Sequence, residues 1–339
     1  MTYDDLHAAG EPVRVVTGGY PLLTGATILD KRREALTFHD HLRRAMMWEP
    51  RGHAGMYGVI PVASSLPGAA FGAIFTHHEG YSTMCGHATI ALAKWAVESA
   101  RVPATEPETR FAFEAPCGLI KVRAAVSKGV VSHAVFESVP SFVFAQGLRI
   151  EVAGFGEVKC DIAYGGAFYA ITPASAMGLD YGATPVPKLV DAAAALTDAI
   201  RATLPINHPD DPELGFLYGT ILTDGAAAPH DSANLCIFAE RQIDRSPTGS
   251  GVTARMALDH AKGLVRIGET RRFHSITGGV FTGAVAGTMK LGPHAAVTVD
   301  VSGNAHWMGR GEFIIEDADR LAHGFELPAV MGDAVGHRP

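Results

Sequence analysis

Two short segments of this 339-residue chain resemble each other and lie close to half its length apart. Cys85-Gly86-His87-Ala88-Thr89-Ile90-Ala91 aligns with Thr248-Gly249-Ser250-Gly251-Val252-Thr253-Ala254. Each puts a small thiol or hydroxyl residue and a glycine just before an Ala-rich stretch, with strand-like runs on both sides. A repeated element at that spacing predicts two lobes of one design, each a β-rich shell around one buried helix. The first turn of a helix carries unpartnered N–H donors and the positive end of the helix dipole. Two such ends meeting at a cleft hold a carboxylate. A cysteine there has its thiolate stabilised, so the sequence predicts a lowered pKa for Cys85 and a usable base or nucleophile. Gly86 and Gly249 let backbone approach a ligand closely.

The rest of the chain reads as strands with few helices. Residues 13–16 read as a strand that turns at Gly18-Gly19 and Pro21. Leu36, Leu42 and Met46, with Ala35 and Ala45, predict one helix over 31–47, ended by Pro50 and Gly52. Residues 58–60 and 71–75 read as strands, and 89–100 as a buried helix stopped by Arg101 and Pro103. Strands follow at 110–113, 119–122, 130–131 and 134–136, and the chain starts afresh near Gln146-Gly147. An amphipathic helix opens at Pro187, with Leu189, Ala193, Leu196, Ile200 and Leu204 on one face. Ser246 to Gly251 opens a second Ala-rich helix that Gly263 ends, and strands then run to about Ile315. The residues from Pro328 carry no pattern and are expected to fray. The lobes are placed at 1–148 with about 310–339, and at 149–309, with the active site in the cleft between them.

Composition excludes several classes. An apolar share of 47% supplies a full core, which argues against disorder. A net charge of −7 lacks the basic surface that nucleic acid or an anionic membrane needs. Apolar runs fall short of a membrane span, and the polar, acidic start has no signal-peptide pattern. Cys85, Cys117, Cys160 and Cys236 form no C-x-x-C pair and no disulfide framework, so a reducing cytoplasm is expected. Cys117, Cys160 and Cys236 sit in strand-like or apolar stretches and read as inert core thiols.

Met84-Cys85-Gly86-His87 and Asp244-Arg245-Ser246-Pro247-Thr248-Gly249-Ser250-Gly251 together resemble the proline racemase family. Glu49-Pro50-Arg51-Gly52-His53, the run from Asp161 to Tyr169 and Val280-Phe281-Thr282-Gly283 match as well, so the resemblance spans about Gly10 to Leu327. The family contains proline racemases, 4-hydroxyproline 2-epimerases and trans-3-hydroxy-L-proline dehydratases. The resemblance implies a mixed α/β (α+β) fold like that of diaminopimelate epimerase, with two pseudo-symmetric lobes, each a barrel-like sheet around a central helix. It implies no cofactor, no metal, a small imino-acid substrate and a homodimer. It also implies that Gly86, His87, Gly249 and Ser250 hold the substrate carboxylate, that Asp244 holds the ring nitrogen and that Phe238 packs on the ring.

One position departs from the two-thiol pattern. Racemases and epimerases of the family have a second cysteine where this chain has Thr248. A hydroxyl is too weak an acid to be a thiol's equal partner without an activating base. Two-base inversion is therefore disfavoured, and because within the family the Cys-then-Thr pattern is that of trans-3-hydroxy-L-proline dehydratases, the resemblance implies a cofactor-independent hydro-lyase. Cys85 takes the Cα proton of trans-3-hydroxy-L-proline and the C3 hydroxyl leaves, giving Δ1-pyrroline-2-carboxylate. Water, His87 and Thr248 are all open as the source of the leaving group's proton.

Three other readings stand beside this one. Thr248, activated or helped by water, would support epimerisation of proline or 4-hydroxyproline. A chain with one thiol lost would be a non-catalytic imino-acid binder. His77, His78, Cys85 and His87 offer zinc-ligand types. They lack paired spacing, and adjacent histidines on a strand point opposite ways.

Overall fold

The computed structural model describes residues 1–239 and 241–327. The frayed end expected from Pro328, and with it the 328–339 part of the first lobe, lies outside the described residues.

The first half of the chain forms β1 (Thr2–Ala8), β2 (Glu11–Gly18), α1 (Ile28–Phe38), α2 (Asp40–Met47), β3 (Tyr57–Val62), β4 (Gly72–His77), β5 (Tyr81–Ser82), α3 (Gly86–Glu98), β6 (Glu108–Ala115), β7 (Gly118–Ser127) and β8 (Val130–Glu137). The second forms β9 (Ser141–Val152), β10 (Gly156–Tyr164), β11 (Phe168–Pro173), α4 (Val186–Thr203), β12 (Leu217–Thr223), β13 (Ser232–Phe238), β14 (Gln242–Asp244), α5 (Gly249–Ala261), β15 (Thr270–His274), β16 (Val280–Leu291), β17 (His294–Gly303) and β18 (Ala305–Glu312).

Strand pairing closes two rings. β9 to β13, then β15, β16 and β17, return to β9. β1 to β4, then β6, β7 and β8, pair onward to the end of β17, and its continuation β18 returns to β1. The order of pair types repeats between the rings. β2–β3 is parallel, β3–β4 and β4–β5 antiparallel, and β4–β6 parallel. β11–β12, β12–β13, β13–β14 and β13–β15 follow the same order. A parallel pair needs a crossover: α1 with α2 and then α3 supply them in the first ring, and α4 and then α5 in the second. The sequence repeat around Cys85 and Thr248 is thus the visible part of a repeat in topology.

α3 packs inside the first ring and α5 inside the second. α3 is buried from residue 86 to 97, and α5 from 249 to 259. A helix enclosed by a sheet has no polar face, which explains their Ala-rich runs. The few polar side chains are partnered: Trp95 Nε1 donates to Asp4 at 2.9 Å, and Arg255 donates to Asn234 Oδ1 at 2.8 Å.

The structure corrects four boundaries. The helix expected over 31–47 is two helices that break at His39, the first opened by a capping box between Thr27 and Asp30. α3 begins at Gly86, three residues before the stretch read as helix. The restart near Gln146-Gly147 is the middle of one long strand, β9, where Gly147 has φ 63° and donates to Asp161 at 2.8 Å. Pairing moves the crossings between the rings from 148 and 309 to the link between β8 and β9 and to Asn304.

Candidate active site

The helix starts meet where the rings touch. A Cβ added to Gly86 would lie 2.3 Å from the Gly249 Cα, and one on Gly249 would lie 2.6 Å from the Gly86 Cα. Only glycine permits that approach, so the N-termini of α3 and α5 abut. Around them is a small pocket lined by buried side chains. Cys85, Gly86, His87, Phe238, Asp244, Thr248 and Ser250 line it, with Tyr57, Met84, Tyr169, Tyr218 and Cys236. Of the residues chosen from the sequence, only Gly249 lies outside this lining, and it stands directly behind it against Gly86.

Cys85 is the N-cap of α3, and its Sγ accepts the Ala88 N–H at 3.4 Å. Sγ also lies 3.1 Å from His87 Nδ1. Thr248 holds the matching position on α5 with φ 63°. That conformation is an outlier for a β-branched residue and costs about 1–3 kcal/mol. Local bonds hold it: the Thr248 N–H donates to Ser246 Oγ at 3.1 Å, and Asn234 Nδ2 donates to the Pro247 carbonyl at 2.8 Å. Thr248 Oγ1, on the pocket lining, is buried without a hydrogen-bond partner among the described residues.

Asp244 divides its two oxygens. Oδ1 accepts the Ser246 N–H at 2.8 Å, and Oδ2 faces His87 Nδ1 at 3.9 Å. Ser250 Oγ bonds the Tyr169 hydroxyl at 2.7 Å. Phe238 stacks on Tyr218, with ring centroids 5.3 Å apart and planes at 11°. The Tyr57 ring meets His87 edge-on at 4.7 Å, and the Tyr57 hydroxyl bonds Ser82 Oγ.

Burial dominates the electrostatics. It pushes the Cys85 thiol well up, outweighing the Ala88 N–H and Tyr57, which stabilise the thiolate. This corrects the lowered pKa expected from the helix start: one N–H does not make up for the solvation that burial removes. Burial also pushes His87 down to about 4, against the pull of Asp244. The resting pair is therefore a neutral thiol beside a neutral imidazole.

The zinc reading is also corrected. His77 packs edge-on against Phe238 and Tyr218 instead of turning to Cys85. His78 pairs with Glu79 and Glu326. Among the described residues, those three form the cluster of metal-ligand types, and neither Cys85 nor His87 joins it.

Sequence reasoning missed part of the site. Cys236 reads from the sequence as a core thiol, yet it lines the pocket on β13. Tyr57 and Tyr218 lie on strands with no local signal, whereas Tyr169 stands in the noted Asp161–Tyr169 match. Glu11 is fully buried on β2, and its Oε2 accepts the Arg245 N–H at 2.6 Å. It ties the segment between Asp244 and Thr248 to the first ring. Only its place inside a turn-and-strand pattern could have marked it.

Two closed β-rings meet at their central helices in an α+β fold, and the thiol at one helix start and the hydroxyl at the other line one pocket. The family model for proline racemase matches residues 4–326, and the chain belongs to that family. A human protein named trans-3-hydroxy-L-proline dehydratase is 50% identical, covering 95% of this chain and 93% of its own. One of the same name from Colwellia psychrerythraea is 45% identical, over 95% of this chain and 91% of its own. A crystal structure of a hydroxyproline epimerase from Agrobacterium vitis with bound trans-4-hydroxy-L-proline matches with TM-score 0.91 and 28% identity, over 100% of this chain and 98% of that one.

Proposed function

We propose that this chain is a hydro-lyase that converts trans-3-hydroxy-L-proline to Δ1-pyrroline-2-carboxylate without a cofactor. The observation that carries it is the pairing of Cys85 and Thr248 at the abutting starts of α3 and α5, lining one pocket. Relatives named for this reaction, 41–50% identical over nearly the whole chain, support it.

In this reading the substrate carboxylate sits at the two helix starts, against N–H groups of Gly86, His87, Gly249 and Ser250. Asp244 Oδ2 takes the protonated ring nitrogen, since a carboxylate is the matching partner for a secondary ammonium. Phe238 and Tyr218 flank the ring. Cys85 thiolate removes the Cα proton, and the C3 hydroxyl, β to that carbon, leaves. A 4-hydroxyl is not β to Cα, so it cannot leave the same way. Burial of the reacting groups limits water's access to the carbanion.

The test is product formation from trans-3-hydroxy-L-proline by the purified protein and by Cys85→Ser. The wild type should form the pyrroline, and the variant should lose on the order of 10³-fold in kcat. Unchanged turnover in the variant would remove Cys85 as the base.

No helix among the described residues is long and apolar enough to cross a membrane. We place the protein in the cytoplasm, because its four thiols are unpaired and Cys85 must stay reduced. A homodimer is proposed from the family resemblance, and light scattering of the purified protein checks it.

A further inference from the structure

Trans-3-hydroxy-L-proline carries its carboxylate and its hydroxyl on opposite ring faces. Its Cα hydrogen and C3 hydroxyl therefore share one face. Resting on the dehydration proposed above, this stereochemistry makes the water loss a syn elimination, and the group that protonates the leaving oxygen must stand on the same side as the base. Thr248 comes from the other ring's helix. On the Cys85 helix the neighbour is His87, with Nδ1 3.1 Å from Sγ. Nδ1 is the ring nitrogen nearest Sγ, Nε2 lying at 3.5 Å, and it faces Asp244 at 3.9 Å. We infer that His87 is a catalytic residue: it takes the Cys85 proton to arm the base and then gives a proton to the departing C3 hydroxyl.

The protons and electrons balance. His87 Nδ1 takes the S–H proton, leaving thiolate and imidazolium, with Asp244 beside the new positive charge. The thiolate takes the Cα proton, and the C–H electron pair becomes the Cα=C3 double bond. The C3–O bond breaks with its pair on oxygen. The imidazolium protonates that oxygen and water leaves. Cys85 is again a thiol and His87 again neutral, so the pair returns to its resting state without exchanging a proton with solvent. The enamine then tautomerises to the imine. Burial of both groups suits this cycle, since each rests uncharged (the thiol pushed up, the imidazole pushed down). The Tyr57 hydroxyl also lies near Cys85, and its bond to Ser82 engages it; Tyr218 lines the same pocket.

Leaving-group dependence tests the assignment. Trans-3-chloro-L-proline has the same face geometry, but chloride departs without a proton. The ratio of kcat/KM for the hydroxy and chloro substrates is measured in wild type, His87→Asn, Thr248→Val and Tyr57→Phe. Binding of pyrrole-2-carboxylate, planar at Cα, shows that each variant keeps a folded site. His87→Asn should lose activity on both substrates, and on the order of 10²-fold more on the hydroxy one. The ratio should not move in Thr248→Val or Tyr57→Phe. An equal loss on both substrates in His87→Asn, or a collapse of the ratio in Thr248→Val or Tyr57→Phe, would overturn it. If His87→Asn does not bind pyrrole-2-carboxylate, His87→Gln is read by the same criterion. Failure of the wild type to dehydrate trans-3-hydroxy-L-proline would instead defeat the dehydration reading itself.

Discussion

Cys85 and Thr248 occupy matching places at the starts of α3 and α5, and the reaction proposed depends on their difference. Thr248→Cys restores the second thiol of the two-thiol pattern. It should add measurable Cα inversion of hydroxyproline while lowering water loss, which chiral chromatography of the recovered substrate would show. The pH profile separates two ways of making the thiolate. If bulk water alone removed the Cys85 proton, kcat/KM would rise about tenfold per pH unit below the thiol pKa. If His87 takes it, thiol–imidazole and thiolate–imidazolium hold the same protons. The profile should then be flat from pH 5.5 to 8.5, and fall only as pH drops toward the His87 value of about 4. Tyr57, Tyr218 and Cys236 are all pushed up by burial and stay protonated there. Burial and Asp244 also push the Glu11 carboxyl up, so the profile is read in Glu11→Gln as well.

At the scale of elements, the helix starts were legible because their chemistry is local. Cys85-Gly86 and Thr248-Gly249 stand in sequence just as they act in space. β1 was not legible. Its inward residues Asp4, Leu6 and Ala8 alternate with polar ones, and Asp4 is held inside by Trp95. Tyr57 and Tyr218 reach the cavity only through ring closure, which no local pattern encodes. The His39 break was hidden because α1 and α2 share one loose apolar stripe, and Thr27 with Asp30 was the overlooked cap. Thr27→Ala should cost about 1 kcal/mol in urea unfolding. Gly86→Ala should cost more, about 1–3 kcal/mol, because its methyl would strike the Gly249 backbone. It should also weaken binding of a carboxylate analogue, measured by calorimetry, by forcing the helix starts apart.

The whole molecule is two interlocked rings, and groups that act together are drawn from both. Cys85 and His87 come from the first, and Asp244, Thr248 and Ser250 from the second. Glu11 spans the gap by accepting the Arg245 N–H, and the Arg245 side chain donates to the Gly55 carbonyl at 2.9 Å. Half-chain repetition was readable, but the exchange of strands between rings was not. β17 and β18 run as one path through both, and only pairing reveals it. The central claim is that one thiol and one hydroxyl across such a cleft eliminate water and do not invert carbon. Incubation of each hydroxyproline isomer in deuterated water, followed by NMR, tests this most directly. Trans-3-hydroxy-L-proline should give the pyrroline, while trans-4-hydroxy-L-proline is recovered with its configuration intact. Inversion of the 4-hydroxy isomer with deuterium at Cα, and no pyrroline from the 3-hydroxy isomer, would contradict it.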